Sequence, residues 1–258
     1  MASKVVIFGD SYANSEPVDW SWSNALKDHY VVANYAYAGS SDVYSRIQLF
    51  DYLQSNKYSK DDVILFFATS LWRMNLLNVF KNITTQSTYM SHAYIELGKF
   101  TKNAESTIEG NDINLIKSDP EFFDKYHEYL RGDTDNLYKQ RLLNAKLLKG
   151  LPNFTVYYDT FYKTHEEVYK DQISPDGSLI RQTEIFERTM LQDDELFLYV
   201  KGELAYECGK HPKHRMSVEN KIHNHLNRKQ NELFLEQVLR TIESKRNKFN
   251  EQEIFKLF

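Results

Sequence analysis

Lys4-Val5-Val6-Ile7-Phe8-Gly9-Asp10-Ser11 is a run of β-formers that ends in Gly-Asp-Ser, with no charge between Lys4 and Asp10. The run reads as a buried first strand that delivers a serine to its carboxyl end. In open α/β sheets ligands bind at that edge. Ser11 is therefore a candidate nucleophile, and the functional question becomes where its base and oxyanion donors come from. Working outward, Tyr30-Val31-Val32-Ala33-Asn34-Tyr35 reads as a second strand and Asp62-Val63-Ile64-Leu65-Phe66-Phe67 as a third. The third is continuously apolar, as a parallel strand covered on both faces must be. Asn153-Phe154-Thr155-Val156-Tyr157-Tyr158 is a fourth.

Helical patterns alternate with these strands. Residues 17–28 carry Trp20, Trp22 and Leu26; residues 43–56 carry Val43, Ile47, Leu49, Phe50 and Leu53 near a 3.6 period, with Ser41 or Asp42 as the cap. Strands alternating with helices predict an α/β fold, a three-layer α/β/α flavodoxin-like parallel sheet with helical insertions. One domain over residues 1–258 is expected, with insertions at about 72–150 and 160–206. Within the first, 84–118 read as a loop or lid, and 119–149 as helices broken near Gly132-Asp133. Ser217 to Lys245 reads as a long last helix, followed by a tail that either frays or docks.

Composition narrows the classes. The chain has 258 residues, 41% of them hydrophobic and 14% aromatic, enough for a substantial core. A net charge of −4 gives no broad basic field, so no nucleic-acid partner is expected. One cysteine excludes a disulfide framework and a Cys-rich zinc site. No apolar run approaches the roughly 18 residues that cross a bilayer, and the amino terminus lacks a signal-peptide pattern. A cytoplasmic protein with no membrane partner is the resulting expectation. Asn82-Ile83-Thr84 and Asn153-Phe154-Thr155 match a glycosylation acceptor and are read as chance.

Three loops can meet at the carboxyl edge of the sheet: Gly9-Asp10-Ser11, Ala38-Gly39-Ser40 and Ala68-Thr69-Ser70-Leu71-Trp72-Arg73. A fourth segment, Cys208-Gly209-Lys210-His211-Pro212-Lys213-His214-Arg215-Met216-Ser217, precedes the last predicted helix. This arrangement resembles the SGNH hydrolases, the GDSL esterases and lipases, over the whole chain. The resemblance implies that Ser11 attacks a carbonyl carbon and that the Gly39 N–H helps to bind the oxyanion. The third block departs from the family's Gly-x-Asn-Asp. With the Asn absent, Ser70 is the stand-in donor beside the Ser11 N–H. Thr69-Ser70-Leu71-Trp72-Arg73 resembles the version in phage-encoded members.

The family's last block places an Asp three residues before its catalytic His. His211 has Cys208 at that spacing and His214 has His211, so neither brings the acid. His214 is narrowly preferred as base over His211, in a Ser-His dyad or with Glu207 reaching in. Asp10 and Arg73 are the expected substrate contacts, although a structural ion pair is the plainer role for Arg73. His223 and His225 are expected inside the last helix, at its surface. A zinc site of His211, His214, His223 and His225 lacks a carboxylate in register, so no metal and no cofactor are expected.

The function that the resemblance implies is hydrolysis of an ester, an O-acyl (acetyl) group on a carbohydrate or another small acyl substrate. Two other classes stay open: a catalytically degenerate binding or structural module, for example virion-associated, and a flavodoxin-like protein whose Gly-Asp-Ser is a phosphate-binding turn.

Overall fold

The computed structural model describes residues 4–14, 19–37, 40–69, 73–75, 87–89, 134–162, 191–210 and 225–256. Its centre is a five-stranded sheet in the order β2-β1-β3-β6-β7. The strands are β1 (Val5–Phe8), β2 (Val32–Asn34), β3 (Val63–Ala68), β6 (Thr155–Asp159) and β7 (Phe197–Lys201). All four pairings are parallel, with Val5 opposite Val32 and Val63, Leu65 opposite Val156, and Val156 opposite Leu198. Two short strands, β4 (Arg73–Asn75) and β5 (Ser87–Tyr89), pair antiparallel outside it.

Side chains alternate across each strand, so the sheet sends one set to each face. Val5, Ile7, Val63, Leu65, Phe67, Val156 and Tyr158 join one buried cluster. Trp22 and Leu26 cover it from α1 (Trp22–Ala25) and the 3₁₀ turn Leu26–Asp28. Phe234, Val238 and Ile242 cover it from the helix Arg228–Ser244. On the other face Val6, Phe8, Ile64, Phe66, Tyr157 and Tyr199 meet Leu49 and Tyr52 of α2 (Asp42–Gln54), and Leu142, Ala145 and Leu148 of α3 (Thr134–Lys149). The result is the expected three-layer α/β/α fold. Every residue of β1, β3 and β6 is buried, which is why β1 and β3 read as unbroken apolar runs.

Several boundaries differ from the sequence reading. The fifth strand, β7, lies inside the span read as the second insertion, followed by α4 (Leu204–Lys210). Within the span read as the first insertion, α3 supplies one of the covering helices. The last long helix, α5, begins at Arg228 rather than Ser217. Asn227 is its N-cap in a capping box: its side chain accepts the Gln230 N–H, and the Gln230 side chain accepts the Asn227 N–H. The tail docks. In α6 (Glu251–Phe255), Ile254 is fully buried, and Phe249 lies 5.1 Å from Tyr158 and 5.3 Å from Phe234 between ring centroids. Asn153 is buried, and its amide donates to the carbonyls of Ser59 and Asp62, so the acceptor match there is indeed incidental. Among the described residues no helix is long and apolar enough to cross a membrane.

Gly9 sits at φ 150°, where L side chains are rare, and a Cβ there would lie 2.7 Å from the Phe67 Cβ. Gly9→Ala is expected to destabilise the fold by on the order of 3 kcal/mol, combining backbone strain with overpacking. A urea titration of the two proteins checks it.

Glu251 gives a pH signature. Its Oε2 accepts the Glu203 N–H at 2.6 Å, just ahead of α4. Burial pushes its carboxyl up to about 8, with the Glu203 amide pulling the other way. The folded state therefore holds a proton that the unfolded chain releases near the ordinary glutamate value of 4.5. The contribution is full at acid pH and is lost as pH rises toward about 8. Melting temperature is expected to fall between pH 5 and pH 9 by more in the native protein than in Glu251→Gln. Parallel slopes in the two proteins would contradict this.

Candidate active site

With strand order β2-β1-β3-β6-β7, the chain leaves β1 toward one side and returns to β3 on the other. The crevice at the carboxyl ends of β1 and β3 is the topological switch point, where this kind of sheet binds ligands. Gly9-Asp10-Ser11 leaves β1 there and Thr69 leaves β3 there.

The loop after β1 is held at nearly every residue. The Gly9 carbonyl accepts from Tyr37 N and from Ser40 Oγ, the latter at 2.7 Å. Asp10 Oδ1 accepts the Tyr12 N–H at 3.0 Å, and its Oδ2 accepts from Thr69 Oγ1 at 2.6 Å. The Ala13 and Asn14 amides turn back onto the Asp10 carbonyl, while Asn34 donates to the Ala13 carbonyl at 2.9 Å. Ser11 is half-buried in the middle of this brace, and among the described residues its hydroxyl makes no hydrogen bond. Asp10, expected to touch substrate, is fully buried and uses both oxygens inside the protein. It braces the loop that carries Ser11.

Tyr12 leads to an imidazole that the sequence reading placed elsewhere. The His225 ring stacks on the Tyr12 ring with centroids 4.8 Å apart and planes 15° from parallel. His225 is not on a helix surface. It lies two residues ahead of the N-cap Asn227 and is half-buried. A chain of hydrogen bonds fixes it there. The Trp22 indole donates to the Tyr12 carbonyl at 2.8 Å, and the Trp22 amide donates to Asn231 Oδ1 at 2.9 Å. Asn231 Nδ2 then donates to the carbonyls of Leu226 and Asn227, both at 3.0 Å. Asn231 thus ties the segment carrying His225 to the loop carrying Ser11, through residues far apart in sequence. The capping-box spacing from Asn227 to Gln230 is the sequence signal that could have located His225 just before the helix.

Beneath this edge lies a buried charged group. Asp42, the first residue of α2, accepts the Thr69 N–H at 2.7 Å on Oδ1 and Arg141 Nη2 at 3.4 Å on Oδ2. Arg141, only 1% exposed, also donates to Asp159 Oδ1 at 2.7 Å. Burial raises the Asp42 carboxyl, opposed by the Arg141 charge and the Thr69 amide. Burial alone would lower the Arg141 guanidinium, but Asp159 and Asp42 outweigh it and raise the group. Sequence reading singled out none of this group as a unit.

Of the expected site residues, Ser11 and Asp10 are thus at the crevice. Arg73 opens β4, which passes beside α2. Gly39, Ser70, His211 and His214 lie outside the described residues.

No protein-family model matches the chain, and none of the curated proteins matches it. Among solved structures it is similar to the crystal structure of an acetyl xylan esterase, AlAXEase, with a TM-score of 0.45 and 14% identity over 93% of this chain and 99% of that one.

Asn231→Leu keeps the branched side-chain shape but removes the partner of the Trp22 amide and of the Leu226 carbonyl. It is expected to cost about 2–3 kcal/mol. The His225 ring resonances are expected to broaden as its seat on Tyr12 loosens. Chemical denaturation and NMR of the imidazole protons check the two effects.

Proposed function

We propose that the protein is a serine hydrolase acting on an ester, with Ser11 as nucleophile and His225 as its base. The observation that carries this reading is the stacking of His225 on Tyr12, the residue next to Ser11. The resemblance to SGNH hydrolases puts the base just ahead of the last long helix. That helix begins at Arg228, so the described imidazole in that position is His225. His225 takes the place given from sequence to His214 and His211.

In this reading the Ser11 hydroxyl attacks the acyl carbon while His225 accepts its proton. The Ser11 and Gly39 N–H groups and Ser70 donate to the tetrahedral oxyanion. His225 then returns the proton to the departing alcohol, and water resolves the acyl-enzyme with His225 again as base. Among the described residues Ser11 and His225 share no hydrogen bond. Such contacts commonly tighten only when substrate binds. Ile222 stands three residues before His225, so the family's orienting acid is missing there too. Stacking on Tyr12 fixes the plane of the ring instead. The substrate class is an O-acyl ester of a carbohydrate or another small acyl ester.

A fluorophosphonate probe tests this reading. Native protein is expected to be labelled, Ser11→Ala not at all, and His225→Ala at least a hundredfold more slowly. His211→Ala and His214→Ala are expected to stay within a few-fold of native. Loss of labelling in His214→Ala but not in His225→Ala would return the base to His214. No labelling of folded native protein, with no release of 4-nitrophenol from 4-nitrophenyl acetate, would favour the non-catalytic binding module.

A further inference from the structure

A guanidinium buried to 1% exposure is costly unless fully paired, and replacing such an ion pair with apolar groups often leaves stability unchanged. Stability alone is therefore a weak account of Arg141. Its position gives a further one. Arg141 comes from α3 and reaches Asp159 at the end of β6 and Asp42 at the start of α2. Asp42 in turn receives the backbone N–H of Thr69, and the Thr69 hydroxyl donates to Asp10, which holds the Tyr12 amide. One hydrogen-bonded line thus crosses the carboxyl ends of β6, β3 and β1. It ends on the two neighbours of Ser11.

We propose that Arg141 is a positioning residue, which through Asp42, Thr69 and Asp10 sets the loop that carries Ser11 and its oxyanion-binding backbone N–H. The inference rests on the hydrolase reading above. Its chemistry requires the planar fork of arginine. One guanidinium nitrogen faces Asp159 at 2.7 Å and another faces Asp42 at 3.4 Å. A lysine ammonium is a compact point charge and does not span the two with the same geometry. In Arg141→Lys the charge balance survives, but the Asp42 carboxyl and the Thr69 amide on it lose their fixed place. Oxyanion donors act in the transition state rather than on bound substrate, so the loss is expected in turnover.

The experiment measures hydrolysis of 4-nitrophenyl acetate, normalised to sites titrated by fluorophosphonate. Arg141→Lys is expected to lower kcat at least tenfold and to leave KM within threefold. Asp42→Asn, close to the native shape, is expected to lower kcat several-fold with the same unchanged KM. The double variant is expected to be little worse than Arg141→Lys alone, because both act through one line. Should Arg141→Lys fail to fold, Asp42→Asn decides by the same split. Native kcat per titrated site in folded variants, with only the melting temperature lowered, would overturn the positioning role and leave the hydrolase reading standing. A native protein that neither labels nor hydrolyses the ester would overturn both.

Discussion

The parallel pairing of β1 with β3, Val5 to Val63 through Phe8 to Phe66, is the constraint on which the rest of the molecule depends. Both strands are buried on both faces, so no polar chemistry can sit along their length. It can begin only where the strands stop. Asp10, Ser11 and Thr69 are the first polar residues beyond β1 and β3, and they emerge side by side because the register aligns the strand ends. The close approach that makes this possible is Gly9 against Phe67. A side chain at position 9 would push apart the two loops that the crevice needs together.

Around that pair the molecule uses two different braces. One is neutral and lies toward the helix face covered by α1 and α5: Tyr12, Trp22 and Asn231 exchange hydrogen bonds, with Trp22 packed 5.1 Å from Phe67 and 5.2 Å from Phe234. The other is charged and draws on α2, α3 and β6, through Asp42, Arg141 and Asp159. The neutral brace controls where an imidazole sits relative to the serine. The charged brace ties the Thr69 amide after β3 to the first side chain of α2. Since each uses a different helical layer, the loop after β1 is held between the two faces of the fold.

How much of this was legible follows from how local each signal is. β1 and β3 were plain because burial on both faces writes a continuous apolar run. Phe197-Leu198-Tyr199-Val200 of β7 carries the same kind of run, yet a short apolar stretch does not tell strand from buried helix by periodicity. The start of α5 was misread because Ile222 and Leu226 extend its apolar spacing backward. The capping box at Asn227 is the stronger stop signal, and it moves His225 from a helix face to a loop. Arg141 was illegible in principle from its surroundings. On a helix of Lys, Arg and Gln it looks like one more solvated cation, and only Asp42 from α2 and Asp159 from β6, far away in sequence, pair it in the interior.

The commitments of Asp10 bear on what kind of base His225 can be. A carboxylate next to a nucleophilic serine is an obvious orienter for an imidazole, but both Asp10 oxygens are spent on Tyr12 and Thr69. Tyr12 then holds the His225 ring by its face rather than by its Nδ1–H. A stacked ring fixes the plane of the imidazole, whereas a carboxylate fixes its tautomer and also stabilises the imidazolium that forms on proton transfer. In the proposed reading Asp10 is therefore not the orienting acid, and Tyr12 sets the plane of the ring that takes the proton.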